Sequence, residues 1–285
     1  MKIVMTLLVR DADDLISSNL DFHLAMGVDH FIVMDNLSAD KTRGILHTYE
    51  RRGLLTYIWQ AEDTFSQASW VTKMARLAYD QGADWVINND ADEFWYPREF
   101  NLKHVLSEVP HRYQGVAVER KHFVPRQLAG NAFFADVLTI RYAALLNPMG
   151  KPWIGKVCHR AHPRIDVGYG NHTASIAGRA LDTTHASLDL LHFPMRSYEK
   201  FERTVVNGGA ASERNTDHPV GRWEGLYQIW KRGELRAYFD AQVPDEDAIE
   251  AGLRDGRYLA DVRLKHMLET LELYRTPVAE RGCDR

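Results

Sequence analysis

Cysteine is scarce in this sequence, and Cys158 and Cys283 are too few to form a disulfide framework. The common zinc motifs are also missing, because there is neither a CxxC pair nor an HExxH segment. Met1-Lys2 leads directly into a strand-like run, with no signal-peptide pattern. We therefore expect a reducing compartment, and a protein that is cytoplasmic or peripheral at the inner face of the membrane.

An excess of basic charge and long hydrophobic runs are absent as well. The 35 Lys and Arg residues face 39 Asp and Glu residues, which gives a net charge of −4. Proteins that bind nucleic acid or anionic membranes over a large surface carry a basic excess, so this balance argues against both classes. Apolar runs such as Val4 to Val9 are far too short to span a bilayer.

Strand and helix patterns alternate through the first hundred residues. Helical periodicity at 12–26, 39–52 and 66–81 separates four short β-favouring runs, at 3–9, 31–33, 54–59 and 85–87. This order predicts an α/β fold with an open, mostly parallel, doubly wound sheet that has helices on both faces. We assign residues 1–100 to this half of the domain.

The pattern changes after residue 100. Short β-like runs at 115–119, 137–142, 154–159 and 188–193 predict a mixed sheet with loops, which we assign as the second half of the same domain over 101–196. The remaining residues, 197–285, predict a helical region. Its expected helices lie at 197–213, 223–239 and 245–274, with a break in the last near Gly252 or Gly256.

An acidic turn, Asp90-Ala91-Asp92-Glu93, follows the fourth predicted strand. Ligands of such sheets bind beyond the carboxyl ends of the strands. Hard divalent cations prefer oxygen ligands and often bridge carboxylates to substrate phosphates, so Asp90 and Asp92 are candidate ligands of one ion. An ordinary acidic turn after a buried strand is the alternative.

Other polar side chains follow the first two strands. Arg10 could face a nucleotide phosphate or base, or could form surface ion pairs beside a helix cap. Asp35-Asn36 could bind a base or a ribose hydroxyl, or could form a plain turn. Trp95, just after the acids, could stack on a sugar ring or pack beneath the site.

Histidine is concentrated late in the chain, where six of the thirteen lie between 159 and 218. Such a cluster, in a half that must fold over the strand ends, favours one metal ligand among them. His192, at the end of a strand-like run, is the first choice, and His172 is the second.

Several segments in order resemble the family 2-like glycosyltransferases, and more narrowly the group related to family 92. These segments are Arg10-Asp11, Gly27 to Val33, Asp35 to Thr42, Trp85 to Phe94, His192 to Ser197 and Val206 to Gly209. The resemblance covers about residues 1 to 215. Asp11-Ala12 stands where members carry Asn-Glu, and Asn88-Asn89 stands where they carry a more hydrophobic strand end.

The resemblance implies a GT-A fold and a nucleotide-sugar donor of the UDP or GDP type. It implies that residues 1–100 form the nucleotide-sugar-binding half of the domain and residues 101–196 the acceptor-side half. It also implies Mn²⁺ or Mg²⁺, and transfer of the sugar to an acceptor hydroxyl of a glycan or small molecule, most often with inversion. Carried over by position, Asp90 would lie near the ribose and the metal, and Asp92 and His192 would ligate the metal. Arg10, Asp35 and Lys73 would lie on the nucleotide side.

An inverting transfer needs a general base for the acceptor proton, and Asp166 and Glu213 are the candidates. Two other functions remain open at this point. One is a phosphohydrolase of the haloacid-dehalogenase type, with Asp11 as nucleophile and Asp13 as acid. The other is a non-catalytic binder of nucleotides or glycans on the same fold.

Overall fold

The computed structural model describes residues 1–64, 66–128, 132–144, 154–215 and 221–271. His218, the last of the six clustered histidines, and Cys283 lie outside these ranges. Among the described residues, no helix combines the length and the apolar character needed to cross a membrane.

The first hundred residues form the alternating elements that the sequence predicts. In chain order they are β1 (Ile3–Val9), α1 (Ile16–Ala25), β2 (His30–Asp35), α2 (Thr42–Arg51), β3 (Leu55–Trp59), α3 (Gln67–Asp80), β4 (Trp85–Asn89) and β5 (Glu93–Pro97). Gly27 and Gly82 follow α1 and α3 with φ of 100° and 79°, a conformation that glycine adopts at little cost. The chain can therefore turn sharply from each helix into the next strand.

The middle of the chain is a mixture of short strands and short helices. It contains α4 (Leu102–Ser107), β6 (Gly115–Val118), β7 (Arg120–His122), α5 (Phe134–Val137), β8 (Ile140–Tyr142), β9 (Lys156–Arg160), β10 (Ile165–Val167), β11 (Ala174–Ile176), β12 (Arg179–Ala180), β13 (Thr183–Thr184) and β14 (Leu188–His192). A 3₁₀ turn, Tyr169–Asn171, separates β10 from β11. The strand predicted at 137–142 is wrong in its first part, because Val137 ends a helix whose Phe134 packs on Phe94 and Phe193.

The C-terminal region is helical with one short strand. It contains α6 (Tyr198–Arg214), α7 (Gly221–Lys231), α8 (Leu235–Asp240), α9 (Glu246–Arg254), β15 (Tyr258–Ala260) and α10 (Arg263–Thr270). The single helix predicted at 223–239 is wrong, because Gly233 has φ of 74° and separates α7 from α8. The helix predicted at 245–274 breaks at Gly256, one of the two expected positions, and β15 follows the break.

The central sheet has seven strands in the order β13-β6-β9-β4-β1-β2-β3. β1 is parallel to both β2 and β4, β2 is parallel to β3, and β9 is antiparallel to β4 and β6. Alternate side chains of β1 enter different cores: Met5 and Leu7 pack with α1 and α2, and Val4 packs with α3. The predicted α/β class, with a mostly parallel sheet covered on both faces, is confirmed.

Candidate active site

The acidic turn joins β4 to β5 and is held in place by α1, which packs on one face of the sheet. The Glu93 amide donates to the Asp90 carbonyl at 3.0 Å, which closes the turn. Asn19, fully buried in α1, donates through Nδ2 to the carbonyl oxygens of Ala91 at 2.9 Å and Glu93 at 2.8 Å. Packing of α1 therefore fixes the shape of the turn.

Asn88 and Asn89 lie beneath this turn and are bonded through their side chains. Thr6 donates to Asn88 Oδ1 at 2.8 Å, and Asn88 Nδ2 contacts His159 Nε2 at 3.1 Å. Trp95 donates through Nε1 to Asn89 Oδ1 at 3.0 Å. The polar strand end is thus satisfied by hydrogen bonds, as buried amides require. Trp95 is fully buried and packs beneath the turn, which is the structural alternative of the two readings above.

Asp92 and His192 lie side by side at the open edge of the sheet. β14 pairs antiparallel with β5, and the register places His192 opposite Glu93. Asp92 Oδ2 is 3.6 Å from His192 Nε2 and 3.9 Å from the Arg196 guanidinium. The other ring nitrogen of His192, Nδ1, is 2.8 Å from His122 Nδ1. The fold therefore brings together two of the side chains predicted as metal ligands.

The charges around Asp92 favour its ionised form, whereas burial favours the neutral form of His192. Burial alone would raise the pKa of Asp92, but His192 and Arg196 outweigh burial and hold that pKa well below its usual range. Burial lowers the pKa of His192, although Asp92 partly opposes the shift. A carboxylate beside a neutral imidazole is a donor pair suited to a divalent ion.

Asp90 is held by two side chains from the middle of the chain. The Lys156 ammonium donates to Asp90 Oδ2 at 2.5 Å, and Asn171 Nδ2 donates to Oδ1 at 3.2 Å. Lys156 begins β9 and its side chain is 1% exposed. Its ammonium also lies 3.2 Å from Glu93 Oε2. Asp90 therefore carries an internal cation as its neighbour.

Glu93 faces the interior below the site. Burial raises its pKa to about 8, while Lys156 acts in the opposite direction and Asp90 adds to the rise. Arg120 reaches Glu93 Oε1 at 3.5 Å from the other side. Glu93 is fully buried, so it supports the site from beneath and does not reach the cavity.

A cavity of about 510 Å³ opens above these groups, at the carboxyl ends of β1 and β4. This volume is in the usual range for a small-molecule site. The lining side chains include Arg10, Asp11, Asn36, Asp90, Asp92, Arg120, Lys156, Tyr169, His172, His192, Arg196, Lys200, Arg203, Asn207 and Trp223. Cations outnumber carboxylates among them, which suits an anionic ligand.

Helix α6 forms the opposite wall of the cavity. Polar pairs join it to the loop after β1: Lys200 Nζ lies 2.5 Å from Asp13 Oδ1, and Asn207 Nδ2 lies 3.1 Å from Asp11 Oδ2. Just before the helix, Arg196 Nε donates to Asp14 Oδ2 at 2.6 Å. These contacts hold the C-terminal helices over the strand ends.

Four residues predicted on the nucleotide side take different positions. Arg10 and Asn36 line the cavity. Asp35 is fully buried and accepts from the Ser38 amide at 2.9 Å and the Tyr57 hydroxyl at 3.0 Å, so its carboxylate closes the turn after β2. Lys73 is exposed and lines a separate groove along α3.

The two candidate bases also lie outside the cavity lining. Asp166 pairs with Arg76 at 2.5 Å and lines the groove along α3. Glu213 pairs with Lys231 at 2.5 Å near the end of α6. His172, the second candidate ligand, does line the cavity; its Nδ1 contacts the Gly155 carbonyl at 2.7 Å, and burial lowers its pKa to about 4.

Two residues that shape the site, Asn19 and Arg120, were not among the predicted site residues. Asn19 could have been recognised as a candidate from the sequence, because it is a polar residue among the apolar positions Leu15, Ile16 and Leu20 of a predicted helix. The local sequence around Arg120 does not indicate a site residue, since its partner Glu93 lies on a strand distant along the chain.

The oxygen and nitrogen donors of the site can contribute to binding a divalent ion, although they do not complete its coordination by themselves. Within the described ranges, no three His, Cys, Asp or Glu side chains are gathered as a metal cage. Asp92 Oδ2 and His192 Nε2, at 3.6 Å, are close enough to share one ion after small rotations. Mg²⁺-type ions commonly take one or two protein ligands together with substrate phosphates, so this arrangement fits.

Comparison with known proteins bears on the N-terminal half of this site. Residues 8–128 match the family model described as glycosyltransferase family 92. This match confirms the resemblance and the predicted glycosyltransferase class over the segment that it covers. The segment includes the ends of β1 and β2, the acidic turn and Arg120. The search of curated proteins found no match.

Several solved structures align with the chain at low identity. Staphylococcus aureus TarS 1–349 in complex with UDP-GlcNAc aligns at 12% identity over 78% of this chain and 69% of that one, with a TM-score of 0.44. The same protein in complex with UDP aligns at 13% identity over 78% and 68%, with a TM-score of 0.40. Glucosyl-3-phosphoglycerate synthase from Mycobacterium tuberculosis, in complex with Mn²⁺, UDP-glucose and phosphoglyceric acid, aligns at 17% identity over 56% and 57%, with a TM-score of 0.31.

Proposed function

We propose that the protein is a metal-dependent glycosyltransferase that moves a sugar from a UDP- or GDP-linked donor to an acceptor hydroxyl, with inversion. One observation carries the proposal: Asp90, Asp92 and His192 all line one cavity over the strand ends, and Asp92 lies 3.6 Å from His192. The family match to residues 8–128 supports the same reaction class.

The cavity offers partners for each part of a donor diphosphate. Lys156 and Arg196 lie beside the two aspartates, and Arg10 lies at the end of β1. Ammonium and guanidinium groups bind phosphate oxygens through charge-assisted hydrogen bonds. These side chains would orient the diphosphate along the strand ends, with the sugar toward Asp92.

Asp92 and His192 would hold the Mn²⁺ or Mg²⁺ ion, with Asp90 next to it. When bound, such an ion offsets negative charge on the diphosphate leaving group. The protein contributes the remaining positive charge and the enclosing wall of α6. Exclusion of water by that wall would favour transfer to an acceptor over hydrolysis.

The phosphohydrolase alternative is disfavoured by the contacts of its two acids. Asp11 Oδ1 accepts from the Ala39 amide at 2.8 Å, and Oδ2 accepts from Asn207. The Asp13 carboxylate is paired with Lys200. A non-catalytic binder keeps some support, because Asp166 and Glu213 lie outside the cavity lining. Slow hydrolysis of a nucleotide sugar to free sugar would distinguish the enzyme from the binder.

Calorimetric titration with UDP and GDP, each with and without Mn²⁺, tests the proposal. We expect one nucleotide to bind, and to bind at least about tenfold more tightly with Mn²⁺, which corresponds to about 1.4 kcal/mol. Asp92→Ala should lose this metal dependence, whereas Asp80→Ala, at an exposed carboxylate on α3, should keep it. Unchanged metal dependence in Asp92→Ala would refute the metal role.

A further inference from the structure

Lys156 is unusual because its charged end is enclosed by the site. Its side chain is 1% exposed, and its ammonium lies 2.5 Å from Asp90 and 3.2 Å from Glu93. The preceding residue, Gly155, is packed so closely that an added Cβ would lie 2.4 Å from the Val118 carbonyl oxygen. The start of β9 therefore has little freedom, and the ammonium is held in place.

The carboxylates of the site are offset by side-chain cations. Lys156 lies between Asp90 and Glu93, Arg120 reaches Glu93 at 3.5 Å, and Arg196 lies 3.9 Å from Asp92. A divalent ion that approached this site alone would meet these fixed positive charges at short range. Coulomb repulsion over such distances is substantial away from bulk water.

We propose that Lys156 is a tethered cation that weakens binding of a free divalent ion at Asp90 and Asp92, so that the ion binds together with the donor diphosphate. The inference rests on the proposed function and adds an order of binding to it. The diphosphate supplies the negative charge that the protein carboxylates lack, because theirs is already offset. Lys156 lines the cavity, so its ammonium can also donate to a phosphate oxygen.

A purely structural role is the competing explanation, in which Lys156 only forms a buried pair with Glu93. In that case the free energy of folding would depend on Lys156, and the affinity for free metal would not. Glu93→Gln removes the carboxyl group that this structural role requires. A comparison of Glu93→Gln with Glu93→Gln/Lys156→Met therefore isolates the effect of Lys156 on the metal site.

The test measures Mn²⁺ binding to the donor-free protein by electron paramagnetic resonance of the free ion. We expect weak binding by the wild type and by Glu93→Gln, and binding at least about tenfold tighter by the double variant, since a nearby like charge has been removed. Lys156→Gln, which keeps a hydrogen-bond donor for Asp90 without the charge, should change the affinity in the same direction. Lys103→Met is the control, because that lysine pairs with Asp29 outside the cavity lining and should leave Mn²⁺ affinity unchanged.

Circular dichroism identifies which variants fold. If the double variant does not fold, the Mn²⁺ affinity of Lys156→Gln is compared with that of the wild type instead. Equal Mn²⁺ affinity with and without the Lys156 charge would overturn the inference, and so would an equal or stronger effect of Lys103→Met. Failure of the proposed function gives a different result: the wild type would then bind neither UDP nor GDP, with or without Mn²⁺. The metal titration itself contains no nucleotide, so the two failures are distinguishable.

Discussion

Replacement of Asn19 by alanine tests whether α1 holds the acidic turn. The change removes two donated hydrogen bonds, to the carbonyl oxygens of Ala91 and Glu93, and one accepted from Asn89 at 3.2 Å. Asn19 is fully buried, so water does not readily replace it. Each buried polar group left without a partner costs about 1–3 kcal/mol.

The Glu93 carbonyl also accepts from Asn89 Nδ2 at 3.1 Å, so the change leaves the Ala91 carbonyl without its donor, and we expect Asn19→Ala to lower the free energy of unfolding by about 2 kcal/mol. A protein of this size loses about 2–4 °C in Tm for each kcal/mol, so Tm should fall by about 4–8 °C. Urea unfolding at pH 7 measures the free energy, and scanning calorimetry measures Tm. Where the variant is folded, metal-dependent nucleotide binding should also weaken, because Asp92 lies within the released turn.

Asn101→Ala is the matched control. Asn101 caps α4 by accepting from the His104 amide at 2.9 Å, near the protein surface. Loss of such a cap costs about 1 kcal/mol and should leave nucleotide affinity unchanged. If Asn19→Ala destabilises the protein no more than Asn101→Ala does, the proposed support of the turn by α1 is wrong.

Two further predictions concern helix packing and pH. An added Cβ at Gly209 would lie 2.3 Å from Tyr227 Cβ, so Gly209→Ala should destabilise the protein by about 1–3 kcal/mol. Gly44 in α2 has open space around it, so Gly44→Ala should stabilise the protein by about 0.5–1 kcal/mol. Urea unfolding measures both changes, and similar shifts in the two variants would contradict the close packing at Gly209. Burial lowers the pKa of His159 from 6.5 to about 4, so the folded protein favours the neutral form. As pH falls through that interval the unfolded chain binds a proton that the folded protein does not, and the free energy of unfolding falls by about 1.4 kcal/mol per pH unit. His159→Gln should reduce the loss of unfolding free energy between pH 7 and pH 5, and an unchanged slope would refute this assignment.

The alternating half of the fold could be predicted because its signals are local. Apolar periodicity marks α1 to α3, and glycines such as Gly27 and Gly82 mark where helices end. The middle of the chain was harder, because short segments there adopt the structure that their neighbours impose. Phe134 lies in a helix that packs against Phe94 and Phe193, partners that are distant along the chain.

The candidate site divides in the same way. The acidic turn was visible because two carboxylates follow a buried strand. The contact of Asp92 with His192 depends on the register between β5 and β14, which no local pattern fixes, although His192 was selected from its place at a strand end. The position of Lys73 could have been foreseen, because Trp70, Val71 and Met74 mark the buried face of α3 and Lys73 lies on the other face.

Anomalous diffraction from crystals grown with UDP or GDP and Mn²⁺ tests the central claim most directly. We expect one manganese peak within about 2.5 Å of an Asp92 oxygen and of His192 Nε2, with the nucleotide diphosphate completing its ligands. A nucleotide bound over the strand ends with no manganese between Asp92 and the diphosphate would contradict the claim.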